Sequence, residues 1–150
     1  MRALIQRVKH SKVLVENEIV GEISDGLLIL LGVEELDNQD DIDWLCGKIS
    51  RLRIFDDENG VMNKSLLDVN GETLIVSQFT LHASTKKGNR PSYIRAANPD
   101  FANVMYHKFV ESYKNHVHTK VATGIFGAMM SVELINDGPV TIFIDTKNKE

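Results

Sequence analysis

This sequence of 150 residues predicts an α+β fold in one domain (1–150), with a curved, partly closed, β-barrel-like sheet and two main helices. Three observations lead there. Short runs of β-branched and apolar residues recur along the chain, separated by turn formers. Only two stretches carry apolar residues at helical spacing. Strands and helices do not alternate regularly, which counts against a doubly wound parallel sheet, and there is neither repeat nor linker.

Taken in order, residues 3–8 and 12–16 are predicted strands, rich in Val, Ile and Leu. The polar break Glu16-Asn17-Glu18 predicts a hairpin into a strand over 19–23, and Ser24-Asp25-Gly26 predicts a further turn. The unbroken apolar run Leu27 to Val33 predicts a strand buried on both faces. Asp37-Asn38 then offers a cap for a helix over 40–51, in which Ile42, Leu45, Ile49 and Leu52 recur at helical spacing. A short strand at 53–55 is expected to end in the turn Asp56 to Gly60. Asn70-Gly71 predicts a hairpin joining 67–69 to a strand over 72–79.

Residues 81–97 lack periodicity. Asn98-Pro99-Asp100 predicts the start of a second helix, with the stripe Phe101, Val104, Met105, Phe109 and Tyr113 facing the core. Three closing strands are predicted over 120–123, 130–135 and 140–144, the last two separated by Asn136-Asp137-Gly138-Pro139, and the tail from Lys147 is expected to fray.

Composition narrows the function classes. Met1 to Val8 lacks a long apolar stretch with a small-residue cleavage site, so no signal peptide is expected. The longest apolar run is too short to cross a bilayer, so a soluble protein is expected. Cys46 is the only cysteine, so no internal disulfide forms and a cytoplasmic, reducing setting is the simplest expectation. A net charge of −4 counts against nonspecific nucleic-acid binding, and no DNA partner is expected, although a local basic patch could still recognise one RNA end. No Gly-rich phosphate loop, no Gly-x-Ser-x-Gly elbow and no paired cysteines for zinc are present, so neither a cofactor nor a metal is expected.

Four segments and one isolated histidine could carry chemistry. Ser77-Gln78-Phe79-Thr80 sets hydroxyls and an amide where a strand opens into a loop, with backbone N–H groups available to an oxyanion; the plain alternative is a polar strand end that satisfies itself. Asn136 to Thr141 reads as a β-turn, or else Gly138-Pro139 is a cis peptide whose two adjacent carbonyl oxygens point one way and accept an ammonium group. Lys86 to Arg95 is basic with one aromatic and suits phosphate contact, or is simply a solvated loop. His116-x-His118 could share a metal or be a polar pair at a helix-to-strand junction. His82 could orient a substrate or face solvent.

Together these segments resemble the D-aminoacyl-tRNA deacylase family over nearly the whole chain. The likeness is carried by Met1-Arg2-Ala3-Leu4-Ile5-Gln6-Arg7-Val8, Gly26-Leu27-Leu28 with Leu31-Gly32-Val33, and Ser77-Gln78-Phe79-Thr80-Leu81. It continues in Gly88-Asn89-Arg90-Pro91-Ser92-Tyr93 and Asn136-Asp137-Gly138-Pro139-Val140-Thr141. The resemblance implies a homodimer with each active site at the subunit interface, and tRNA, through its 3′-aminoacyl end, as partner. Ser77, Gln78, Phe79 and Thr80 would line the pocket for the terminal adenosine and the ester. Gly138 and Pro139 would reach in from the partner with a cis bond, Arg7 would brace them, and Met129 would line the pocket.

Thr80 is the candidate nucleophile by that resemblance. The sequence shows no Ser-His-Asp or Cys-His arrangement to activate it, which favours water attack assisted by the RNA's 2′-hydroxyl, with the Phe79 N–H as oxyanion donor. Two other classes compete: a dimeric binding module without chemistry, and another ester or thioester hydrolase on a similar scaffold.

Overall fold

The two ends of the chain pair with each other. In the computed structural model, which describes residues 1–150, β1 (Arg2–Val15) runs antiparallel to β8 (Ser131–Asp145), from Arg2 opposite Asp145 to Leu14 opposite Ser131. The other edge of β1 is shared. Its first half pairs with β3 (Gly26–Gly32) and its second half with β2 (Glu18–Ile23). The β1–β2 hairpin closes at Glu16 and Asn17, both at positive φ, as a primed turn demands.

Beyond β3 the sheet continues in parallel through β6 (Glu72–Ser77) and β7 (Val121–Thr123). Parallel neighbours need crossovers. Helix α1 (Gln39–Ser50) lies in the first and α3 (Pro99–Lys114) in the second. The helices pack on one sheet face, where Ile42, Leu45 and Ile49 of α1 and Met105, Phe109 and Tyr113 of α3 meet Ala3, Ile5, Leu27, Ile29 and Leu31. On the other face Val8, Val13, Ile23, Leu28, Leu74 and Val76 form a smaller core. Leu27 to Leu31 thus feeds alternate side chains into both cores, the reason its sequence is continuously apolar.

The sheet curls until β2 meets β7. A Cβ at Gly21 would sit 2.3 Å from the Thr123 carbonyl oxygen, so only glycine lets the two strands approach and the barrel nearly close. No helix is long and apolar enough to cross a membrane.

Several elements differ from expectation. Asn70-Gly71 closes no hairpin: Leu66–Val69 is a short helix, α2, and Asn70 caps it in the left-handed region, after which β6 enters the sheet parallel to β3. The residue pair that suits a primed turn also suits a helix C-terminus, because both need positive φ. The strand expected at 53–55 is a two-residue β4 (Phe55–Asp56) paired with β5 (Met62–Lys64). The two strands expected at 130–135 and 140–144 are one, β8, in which residues 137–140 bulge between Asn136, opposite Val8, and Thr141, opposite Gln6. On α3, Val104 is exposed and the buried stripe is Ala102, Met105, Tyr106, Phe109, Val110 and Tyr113.

Candidate active site

The end of β6 is where chemistry-bearing residues collect. The Gln78 N–H donates to the Leu31 carbonyl (2.7 Å), which pins the strand end to β3. The chain then tightens into a single 3₁₀ turn, Phe79–His82, with no side chain capping its start. The amides of Phe79 and Thr80 come first in that turn and so have no acceptor within it. Gln78 Nε2 donates to Thr80 Oγ1 at 2.5 Å.

A cavity of about 590 Å³ opens in front of this turn, a size suited to a small ligand. Ser77 and Gln78 supply its polar edge, while Val33, Val76, Tyr106, Phe126 and Met130 supply apolar wall. Tyr106 offers only its ring, because its hydroxyl donates to the Ile75 carbonyl (2.8 Å). Phe79 and Tyr93 meet edge to face at the cavity, their centroids 5.1 Å apart, and both are exposed. Met129 also lines the cavity but is 92% exposed, so in this chain alone its side chain stands almost wholly in solvent. Thr80 stands beside the cavity rather than in its wall, joined to it through Gln78.

Arg7, Gly138 and Pro139 are elsewhere in the same chain. The Gly138–Pro139 peptide is cis, and Gly138 has φ +146°. Both residues are exposed in the bulge of β8. Arg7 is buried beneath them. Its Nε donates to the Asp137 carbonyl (2.9 Å) and its guanidinium to the Ile54 carbonyl (2.7 Å). The Asn136 side chain clamps the bulge from the other side, accepting from Val140 N–H (2.9 Å) and donating to the Val140 carbonyl (3.1 Å). The outcome is an exposed turn held rigid from below.

His82 is the clearest correction. It neither faces solvent nor reaches the cavity wall: it is fully buried, and neither ring nitrogen has a hydrogen-bond partner. Burial pushes its pKa down, with the Gly32 backbone acting the other way. The ring is packed beneath the turn and outside the cavity wall, so it does not face a ligand held there. Cys46 is inert, its thiol pushed up to about 12 by burial. His116 is half-buried and His118 exposed, and no three His, Cys, Asp or Glu side chains converge anywhere as metal ligands.

Sequence reasoning missed Tyr106 and Phe126 as cavity wall and Asn136 as clamp. The aperiodic, glycine-bearing stretch Gly124 to Met130 was the available signal for the wall.

A model of the D-Tyr-tRNA(Tyr) deacylase family matches residues 4–145. This chain belongs to that family. D-aminoacyl-tRNA deacylases of Flavobacterium johnsoniae and Bacteroides thetaiotaomicron are 60% and 59% identical to it, each over the full length of both chains. Among solved structures, one titled c-Myc DNA Unwinding Element Binding Protein superposes with a TM-score of 0.92 at 38% identity, covering 97% of this chain and 98% of the other. Another, of a probable eukaryotic D-amino acid tRNA deacylase, has a TM-score of 0.80 at 17% identity, covering 95% and 97%, and likens the fold alone. In this chain the cavity at the end of β6 and the braced β8 turn are two exposed features on separate parts of the fold.

Proposed function

We propose that the protein hydrolyses the ester of D-aminoacyl-tRNA in the cytoplasm, releasing the D-amino acid and tRNA, and that it does so without cofactor or metal as a homodimer. One observation carries the mechanistic part: a ligand-sized cavity borders a turn with unpaired backbone N–H groups, and no carboxylate or imidazole lines it.

An aminoacyl ester is already activated, so placing it against oxyanion donors lowers much of the barrier. Water attacks the carbonyl carbon with the help of the ribose 2′-hydroxyl. The oxyanion is held by the Phe79 N–H, and the ribose 3′-oxygen leaves with a proton. Thr80 orients rather than attacks. Its Oγ1 accepts from Gln78, and no carboxylate or imidazole is hydrogen-bonded to it to take its proton.

Chirality is read by a second copy of the chain. The Gly138–Pro139 turn does not line its own cavity, yet it is exposed, rigidly braced and set in an edge strand that also presents Leu134, Ile135 and Phe143 to solvent. On this reading it enters the partner's cavity, its carbonyls receive the α-ammonium, and an L side chain has no room. Such a filter ignores side-chain identity, so broad activity over D-amino acids and on achiral glycyl-tRNA is expected.

Incubation with D-Tyr-tRNA, L-Tyr-tRNA and a simple thioester tests the assignment by release of product. Selective D-release is the expected result. Binding without release would replace it with a binding module, and thioester turnover with a different hydrolase.

A further inference from the structure

Between Glu72 and Asp100 the sequence holds no acidic residue, yet it holds Lys86, Lys87, Arg90 and Arg95. The remainder of the chain carries a net −8, against −4 for the whole. This asymmetry coincides with the cavity. The loop leaves the end of the 3₁₀ turn and is closed by reciprocal backbone hydrogen bonds between Ser84 and Ser92 (2.8 and 2.9 Å). Gly88, at φ +68°, turns its tip. The chain then returns through Tyr93, which meets Phe79 at the cavity, and Ala96, which lines it.

The four cations differ from many others in this protein. Arg2, Arg7, Lys9, Lys12, Lys64, Lys114 and Lys147 are all paired with carboxylates, while Lys86, Lys87, Arg90 and Arg95 are exposed and pair with none. The cavity that their loop reaches through Tyr93 and Ala96 is mostly apolar and of a size for one terminal nucleoside with its aminoacyl group, so the phosphates of any longer ligand must leave through its mouth.

We infer that the 84–95 loop is a phosphodiester track for the single-stranded 3′ end of the RNA, holding the nucleotides that precede the one in the cavity. This rests on the deacylase reading and extends it to where the polymer runs. Arg and Lys there would neutralise phosphates without reading bases, giving affinity that falls with salt.

The test compares two esters of the same D-amino acid: D-Tyr-tRNA, and the phosphate-free 3′-O-D-tyrosyl adenosine. Wild type is set beside K86A/K87A/R90A and a control, K48A/R51A/K149A, that removes equal charge around Trp44, away from the cavity. For the loop variant KM for D-Tyr-tRNA should rise about tenfold at low salt, with kcat kept and the log–log salt slope reduced by about 2, at roughly 0.7 per single-strand phosphate. Turnover of the adenosine ester should be unchanged, and the control should behave as wild type on both.

Equal effects of the two triple variants on tRNA, or no effect of the loop variant, would overturn the track while leaving the deacylase reading intact. Inhibition by duplex DNA as strong as by uncharged tRNA would also overturn it, in favour of a duplex-binding surface. Failure of wild type on both esters would instead bring down the deacylase reading, and the track with it.

Discussion

At the scale of single residues, the buried imidazole of His82 makes the protein sensitive to acid. The unfolded chain binds a proton near the ordinary histidine pKa of 6.5, whereas burial holds the folded-state value below it. Above pH 6.5 both states are neutral and the stability is intact. As pH falls through 6.5 the unfolded chain takes up a proton that the folded one refuses, so stability drops until the folded-state pKa is passed. Urea midpoints at pH 7.5 and pH 5.0 should therefore diverge more in wild type than in His82→Leu. Equal losses in the two proteins would contradict this account. Because His82 ends the turn that carries Phe79 and Thr80, the same titration is expected to loosen the site before the molecule unfolds. Neither ring nitrogen is paired, which no sequence pattern announces: the residue lies in an aperiodic stretch, and its burial follows from Gly32, where a Cβ would come within 3.0 Å of the ring.

Elements that rest on local rules were legible, and those that rest on distant register were not. Helix α1 follows from its spacing and from the Asn38 cap, which accepts from Asp40 and Asp41 while Asp41 answers to the Asn38 N–H. Strand β3 follows from its unbroken apolar run, which marks two-sided burial. By contrast, β8 keeps going through four turn-forming residues, because β1 supplies partners on both sides of the bulge. Nothing local predicts that. The same holds for the site: Ser77 to Phe79 were legible as a strand end, but their cavity wall comes from α3 and the stretch before β8. Closure of the sheet is another long-range effect, and it hangs on Gly21. Overpacking at Gly21→Ala should cost about 1–3 kcal/mol, because the group met is the Thr123 backbone rather than a movable side chain. Thermal unfolding would show a lowered midpoint. An unchanged one would mean that β2 and β7 are free to separate.

For the whole molecule, the proposed chemistry divides between two copies, and that division can be measured. Gly138→Ala disables the turn: the added Cβ would lie 2.7 Å from Val140 Cγ2 and 2.9 Å from its nitrogen, at a φ of +146° that L-residues avoid. Ala128→Trp disables the cavity by filling it, since Ala128 lines its wall. Each homodimer should then be inactive, for opposite reasons. In a mixed dimer the two sites differ. One combines an intact cavity with the turn of the Ala128→Trp chain, which is also intact, and the other carries both defects. Random reassociation makes half of the dimers mixed, each with one working site, so the mixture should recover about a quarter of wild-type activity by two-fold symmetry. If each chain used its own turn on its own cavity, every site in the mixture would keep a defect and none of the activity would return. Mixing after unfolding in urea, with activity on D-Tyr-tRNA read against the separately refolded variants, decides between the two arrangements.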